Sequence, residues 1–124
     1  MAKVTVLTNL GEAWAAGRMA GTEDTTGRFI GWGTGTSTAS KEDSALFTES
    51  AEVRATGTVS VEGSGAAAKW QCEGTLVSES TQTISEAGAF TALSSGTLIL
   101  HTTFDGLGLN EGDQITFTFT VDPS

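Results

Sequence analysis

The sequence has no tyrosine, one proline, one cysteine, one histidine and six basic residues in 124. Each scarcity excludes something. With Cys72 alone no internal disulfide can form, so packing or partner subunits must hold the domain together. In Lys69-Trp70-Gln71-Cys72-Glu73 a strand alternation sets Trp70 and Cys72 on one face, where the thiol fills core instead of reacting. One proline leaves no Pro-rich linker, and the length suits one core. The expectation is a single domain over 1–124, with residues 1–27 as an N-terminal arm and helix. Fifteen acids against six bases give a net charge of -9, which repels nucleic acid and anionic lipid. No apolar run approaches the ~20 residues of a membrane span, and Met1 to Leu10 lacks the continuous apolar stretch of a signal peptide. Neither a nucleic acid nor a membrane is expected as a partner, and synthesis is expected in the cytoplasm.

The same thinness applies to reactive groups. His101 is the sole histidine, in the run Leu98-Ile99-Leu100-His101-Thr102, and no Gly-x-Ser-x-Gly elbow accompanies it. A polar or interface position is the better reading than a triad member. One His and one Cys fall short of the four ligands of a structural zinc site. Asp105, Asn110, Glu111 and Asp113 could offer oxygen to calcium, but their spacing is not that of an EF-hand, and a solvated turn is the plainer reading. The lack of tyrosine and the presence of only three tryptophans weaken a sugar-cleft reading. No catalytic group assembles, so the expectation is a protein that is not an enzyme and needs no cofactor or metal.

What is abundant is glycine, threonine and serine. The stretch Phe29-Ile30-Gly31-Trp32-Gly33-Thr34-Gly35-Thr36 invites a phosphate-loop reading, yet no Gly-Lys pair occurs in the chain. Its glycines are spaced by two and a Thr/Ser run follows, which is not a dinucleotide fingerprint. A short apolar strand entering a turn, with glycines taking positive φ, accounts for it better. Upstream, Thr8 or Asn9 caps a helix over Glu12 to Met19, with Leu10, Ala13, Trp14 and Gly17 on one face. Ser40 to Asp43 resembles a capping box leading into one or two helical turns.

Beyond that point the pattern is β. Val53 to Val61 alternates as one strand, Glu62-Gly63-Ser64-Gly65 turns it into Lys69 to Val77, and Thr83 to Glu86 is a short strand running on toward Phe90. Thr97 to Phe104 and Gln114 to Val121 are the clearest strands. The loop between them holds Leu107 and Leu109, expected to tuck under the sheet. Seven or so short strands at turn spacing predict a mainly β chain: an antiparallel β-sandwich or jelly roll with a short N-terminal helix.

Several segments together resemble a known group. Val4-Thr5-Val6-Leu7-Thr8-Asn9-Leu10-Gly11, then Phe29 to Thr36, then Lys41-x-Asp43-x-x-Leu46-Phe47-Thr48-Glu49, then Thr83-Ile84-Ser85-Glu86-Ala87-Gly88-Ala89-Phe90 and the closing Gly112 to Phe119 are similar to small virion proteins of tailed bacteriophages. The resemblance implies a head decoration, or cement, protein on the outer surface of the major capsid protein shell, commonly a homotrimer. A tail or fibre component is the alternative. On that reading Trp14 and Met19 on the helix, and Trp32 with Gly33, are the candidate capsid or subunit contacts, since aromatic anchors are the usual hot spots.

Overall fold

The computed structural model describes residues 3–65 and 68–121. Its elements run β1 (Val4–Leu7), α1 (Asn9–Ala20), β2 (Phe29–Gly33), β3 (Ala55–Thr56), β4 (Thr58–Glu62), β5 (Lys69–Val77), β6 (Gln82–Phe90), β7 (Leu98–Leu109) and β8 (Gln114–Val121). They form a five-stranded sheet ordered β1-β7-β6-β2-β3 and a three-stranded sheet ordered β4-β5-β8, with every ladder antiparallel. The expected mainly β, two-sheet sandwich with one N-terminal helix is what the chain adopts.

The core lies between the sheets. Ile30 and Trp32 of β2, Ala87 and Ala89 of β6, and Ile99 and Leu100 of β7 face Cys72 and Leu76 of β5 and Phe119 of β8. Trp32 meets Phe117 edge-on at 6.4 Å between ring centroids, and Phe117 stacks on Phe119 at 6.3 Å. Burying each large apolar side chain here contributes about 1.5–3 kcal/mol. A register shift between Ala89 and Phe90 leaves Ile99 unpaired, so the adjacent Ile99 and Leu100 both join the core. The other face of the three-stranded sheet is polar, with Thr75 bonded to Thr116 at 2.7 Å and Thr118 donating to Glu73 at 3.0 Å.

Five details differ from the pattern-based expectations, each with a local cause. The Val53–Val61 strand is broken at Gly57, where the chain leaves one sheet for the other. A Cβ there would lie 2.8 Å from both Arg28 O and Cys72 Sγ, so only glycine turns this corner. Helix α1 starts at Asn9, with Thr8 as its N-cap accepting from Gly11 N at 2.9 Å. It turns Gly11, Trp14 and Ala15 inward and leaves Leu10 and Ala13 exposed, because Gly11 lies directly on the Ile99 carbonyl. Residues 40–48 form no helix: the Phe47 and Thr48 amides that would bond back along a helix bond to Glu86 instead. Strand β7 continues to Leu109 by pairing with β6, and Leu107 is exposed, not tucked under the sheet. Finally, Gly31, Gly33 and Gly35 do not take positive φ; that conformation occurs at Gly21, Gly63, Gly65, Gly96 and Gly112 among the described glycines.

Those three glycines serve close approach. Gly31 and Gly33 sit on the outer face of β2 opposite Gly88 and Glu86 of β6, and the segment 34–54 lies against that face. A Cβ on Gly33 would come closer than 3.0 Å to the Thr48 carbonyl, while one on Gly108 would meet nothing within 4 Å. Gly33→Ala is therefore expected to lower stability by about 3 kcal/mol, the upper end of overpacking effects. Gly108→Ala should stay within about 0.5 kcal/mol of the parent. Urea unfolding of the two variants side by side checks this.

Candidate functional site

Two places concentrate unusual chemistry: a buried charged cluster under segment 34–54, and an apolar cleft beside α1.

The cluster is built on Glu86, which the β6 pleat turns outward into the space below the segment. Its Oε1 accepts from Phe47 N and from His101 Nε2, each at 2.8 Å; its Oε2 accepts from Thr48 N at 2.8 Å and Gly35 N at 3.0 Å. His101, on β7 directly beside Gly88, uses its second ring nitrogen as well, with Nδ1 2.7 Å from Asp43 Oδ2. That oxygen also accepts from Ser40 N at 2.7 Å. Glu86 and His101 are fully buried. With a carboxylate at each nitrogen, the ring satisfies both only as the doubly protonated imidazolium. Burial works against that charge, but the hydrogen bonds His101 donates to Glu86 and Asp43 outweigh it and raise the His101 pKa above its ordinary 6.5. Burial likewise opposes ionisation of Glu86, and the bonds from His101, Thr48, Phe47 and Gly35 overcome it, holding the carboxyl below 4.5.

Two further groups anchor the same segment. Glu52 accepts from Trp32 Nε1 at 3.1 Å, Glu79 N at 2.9 Å and Gln82 Nε2 at 2.7 Å. Burial opposes its charge, yet these donors keep its pKa lowered. Arg54 grips Glu49 through Nε at 2.8 Å and a terminal nitrogen at 3.0 Å, donates to the Ala92 and Ser95 carbonyls, and lies 3.4 Å over the Phe90 ring.

This geometry settles several sequence readings. His101 is not at an interface; it is inside the protomer, and both of its nitrogens face carboxylates, so neither is placed to take a proton from a serine. The ring stands between the two carboxylates instead of sharing a convergence point with them, and no group of three His, Cys, Asp or Glu side chains suited to a metal occurs among the described residues. Asp113 caps its own turn by accepting from Asn110 N at 2.8 Å. Cys72 is buried core, its thiol pushed up by burial to about 11 against the opposing charge of Arg28. Trp32 and Gly33 are buried in the protomer, so the aromatic marker of the glycine-rich stretch is a core residue whose indole N–H is held by Glu52.

The other two candidate contacts come together at the surface. Trp14 packs edge-on against Trp70 at 6.1 Å and donates from Nε1 to Thr25 O at 3.2 Å. With Leu7, Met19, Val59 and Val121 the pair lines an apolar cleft of about 310 Å³, and Met19 is 88% exposed at its rim. Glu86, Asp43, Glu52 and Arg54 were not legible as a cluster. The available signal was a single charge inside each apolar run, Glu86 within Ile84–Phe90 and His101 within Leu98–Thr102, since a charge in a buried strand needs a partner.

No family model matches the chain, and neither curated proteins nor solved structures give a match. The resemblance to phage virion proteins thus rests on the segments quoted above.

The cluster fixes a pH dependence. His101, with its raised pKa, contributes stability that is complete below 6.5 and is lost as pH rises through its folded value. Glu86, with its lowered pKa, contributes stability that is complete above 4.5 and is lost as pH falls through its folded value. Stability from this pair is therefore greatest between 4.5 and 6.5. His101→Gln removes the donor that bridges both carboxylates and is expected to cost about 3–5 kcal/mol near pH 6. It should also flatten the decline seen in the parent toward alkaline pH. Urea unfolding across the pH range, on parent and variant, reads both effects.

Proposed function

We propose that this protein is a structural component of a tailed-bacteriophage virion, a decoration or cement protein that binds the outer surface of the major capsid protein shell as a homotrimer. The observation that carries the reading is the apolar cleft beside α1. A protomer with a net charge of -9 and a threonine-rich outer sheet keeps Trp14, Trp70 and Met19 together at its surface. An apolar cleft lined by two half-buried tryptophans, with an exposed methionine at its rim, offers the aromatic anchors that protein–protein contacts use. The quoted segments shared with phage virion proteins supply the identity of that partner. The work of such a protein is mechanical: each contact adds binding free energy that shell disruption must overcome, and many copies multiply a modest contact.

Purified protein is expected to co-sediment with empty expanded capsids and to raise their melting temperature. Met19→Glu, which alters a side chain pointing into solvent, should weaken that binding about tenfold or more without changing the protein's own thermal unfolding. Sedimentation with tails alone would favour the tail or fibre reading, and binding to neither particle would remove both.

A further inference from the structure

The two sheets separate along one side, and the mouth between them is bordered by β1 of the five-stranded sheet and β8 of the three-stranded sheet. Both are edge strands. At one end α1 fills the mouth, where Leu7 and Val121 meet Trp14 and Trp70. At the other end it stays open as a cleft of about 490 Å³ between Thr5, Thr102 and Phe104 on one wall and Phe117 and Thr120 on the other.

The edges differ in how they are guarded. Edge β3 has two residues and β4 carries Glu62 and ends at a glycine turn. Strand β8 has eight residues, Gln-Ile-Thr-Phe-Thr-Phe-Thr-Val, with no charge, no proline and an unbroken register to β5 on its paired side. A long, regular, uncharged edge is a template for another strand, which monomers avoid by charge, proline, bulges or shortness.

We propose that β8 pairs with β1 of a second copy of this chain, extending the three-stranded sheet of one protomer into the five-stranded sheet of the next and closing the open end of the mouth. Charge selects β1 as the partner. Strand β8 is entered from Asp113 and holds no basic residue, so a second β8 offers that acid no counter-charge. Lys3, immediately before β1, is the one charged side chain among the described residues that line the open cleft, and with the two strands parallel it approaches Asp113 at the start of β8. Position selects a closed assembly. Because donor and acceptor edges border the same mouth, successive copies turn back toward one another, which gives a small ring and not a filament. The proposal does not depend on capsid binding.

The test begins with the unaltered protein. Light scattering behind size exclusion at micromolar concentration should give two or three times the 12.7 kDa chain mass. In a Cys72→Ala background, Val6→Cys combined in turn with Thr116→Cys, Thr118→Cys and Thr120→Cys should yield an intermolecular disulfide for at least one pair, because these residues lie on the outer faces that the joined sheet would align. A monomer by mass overturns the proposal whatever the variants do. An oligomer that none of the three pairs cross-links, while Met19→Cys cross-links to itself, places the contact at α1 and overturns it equally.

Discussion

The fold depends on one carboxylate. Glu86 hydrogen-bonds Gly35, Phe47, Thr48 and His101 at once, and it does so from inside a β-strand with no exposure to water. Burying an unpaired carboxylate would cost many kcal/mol, so its presence is tolerable only because each oxygen takes two donors and one donor carries positive charge. The dependence runs both ways. The backbone amides of 35, 47 and 48 belong to an irregular segment, and without Glu86 they would be donors, fully buried at Gly35 and partly so at Phe47 and Thr48, that lose their acceptor.

From that constraint much of the outer layer follows. A segment without helix or ladder of its own can cover a sheet only if its backbone polar groups are satisfied by the surface beneath it. Glu86 serves the middle, and Asp43 with His101 serves Ser40. Thr103 Oγ1 accepts from Ala39 N at 3.2 Å, and Arg54 with Glu52 holds the far end. The glycines at 31, 33, 35 and 88 make the same surface low enough for the backbone to reach those groups. The five-stranded sheet is thus covered on both faces by different means, apolar packing toward the three-stranded sheet and a polar lattice toward the segment. Leu46, Phe90 and Leu98 add only a small apolar cluster on the outer side.

The parts of this architecture visible beforehand were those governed by local periodicity. The alternation of Ile115, Phe117, Phe119 and Val121 marked β8 with its correct bounds, and the Glu62–Gly65 turn marked the β4–β5 hairpin. Failures came where a distant group took over a local preference. The Ser40 to Asp43 signal is a real cap in miniature, with Asp43 N bonded to Ser40 O at 3.0 Å, but Glu86, thirty-eight or more positions away in sequence, claims the amides a helix would need. The Val53–Val61 alternation is also real, yet Gly57 divides it between two sheets. Of the candidate site, the placing of Trp14 and Met19 on one helix was legible, and both line the cleft, though their five-residue separation is not a helical-face spacing. The burial of Trp32 was not legible, because a strand hydrophobic on one face and glycine on the other reads equally as surface marker and as core.

Placing charge inside has a consequence for the outside. His101, Glu86, Asp43, Glu52, Arg54 and Glu49 spend their hydrogen bonds within the protomer, so recognition falls to other groups, among them the apolar surfaces beside α1 and along β8. Both surfaces with that character belong to the same seam: Trp14 of α1 with Trp70 of β5 lies at one end of the mouth between β1 and β8, and the unguarded β8 edge runs along the rest. A second copy seated on that edge would lie next to the α1 cleft of the first, bringing two Met19–Trp14 patches to the same side of the assembly. Self-association along the seam would then raise the local concentration of apolar patches, so a contact weak for one protomer becomes strong for the ring.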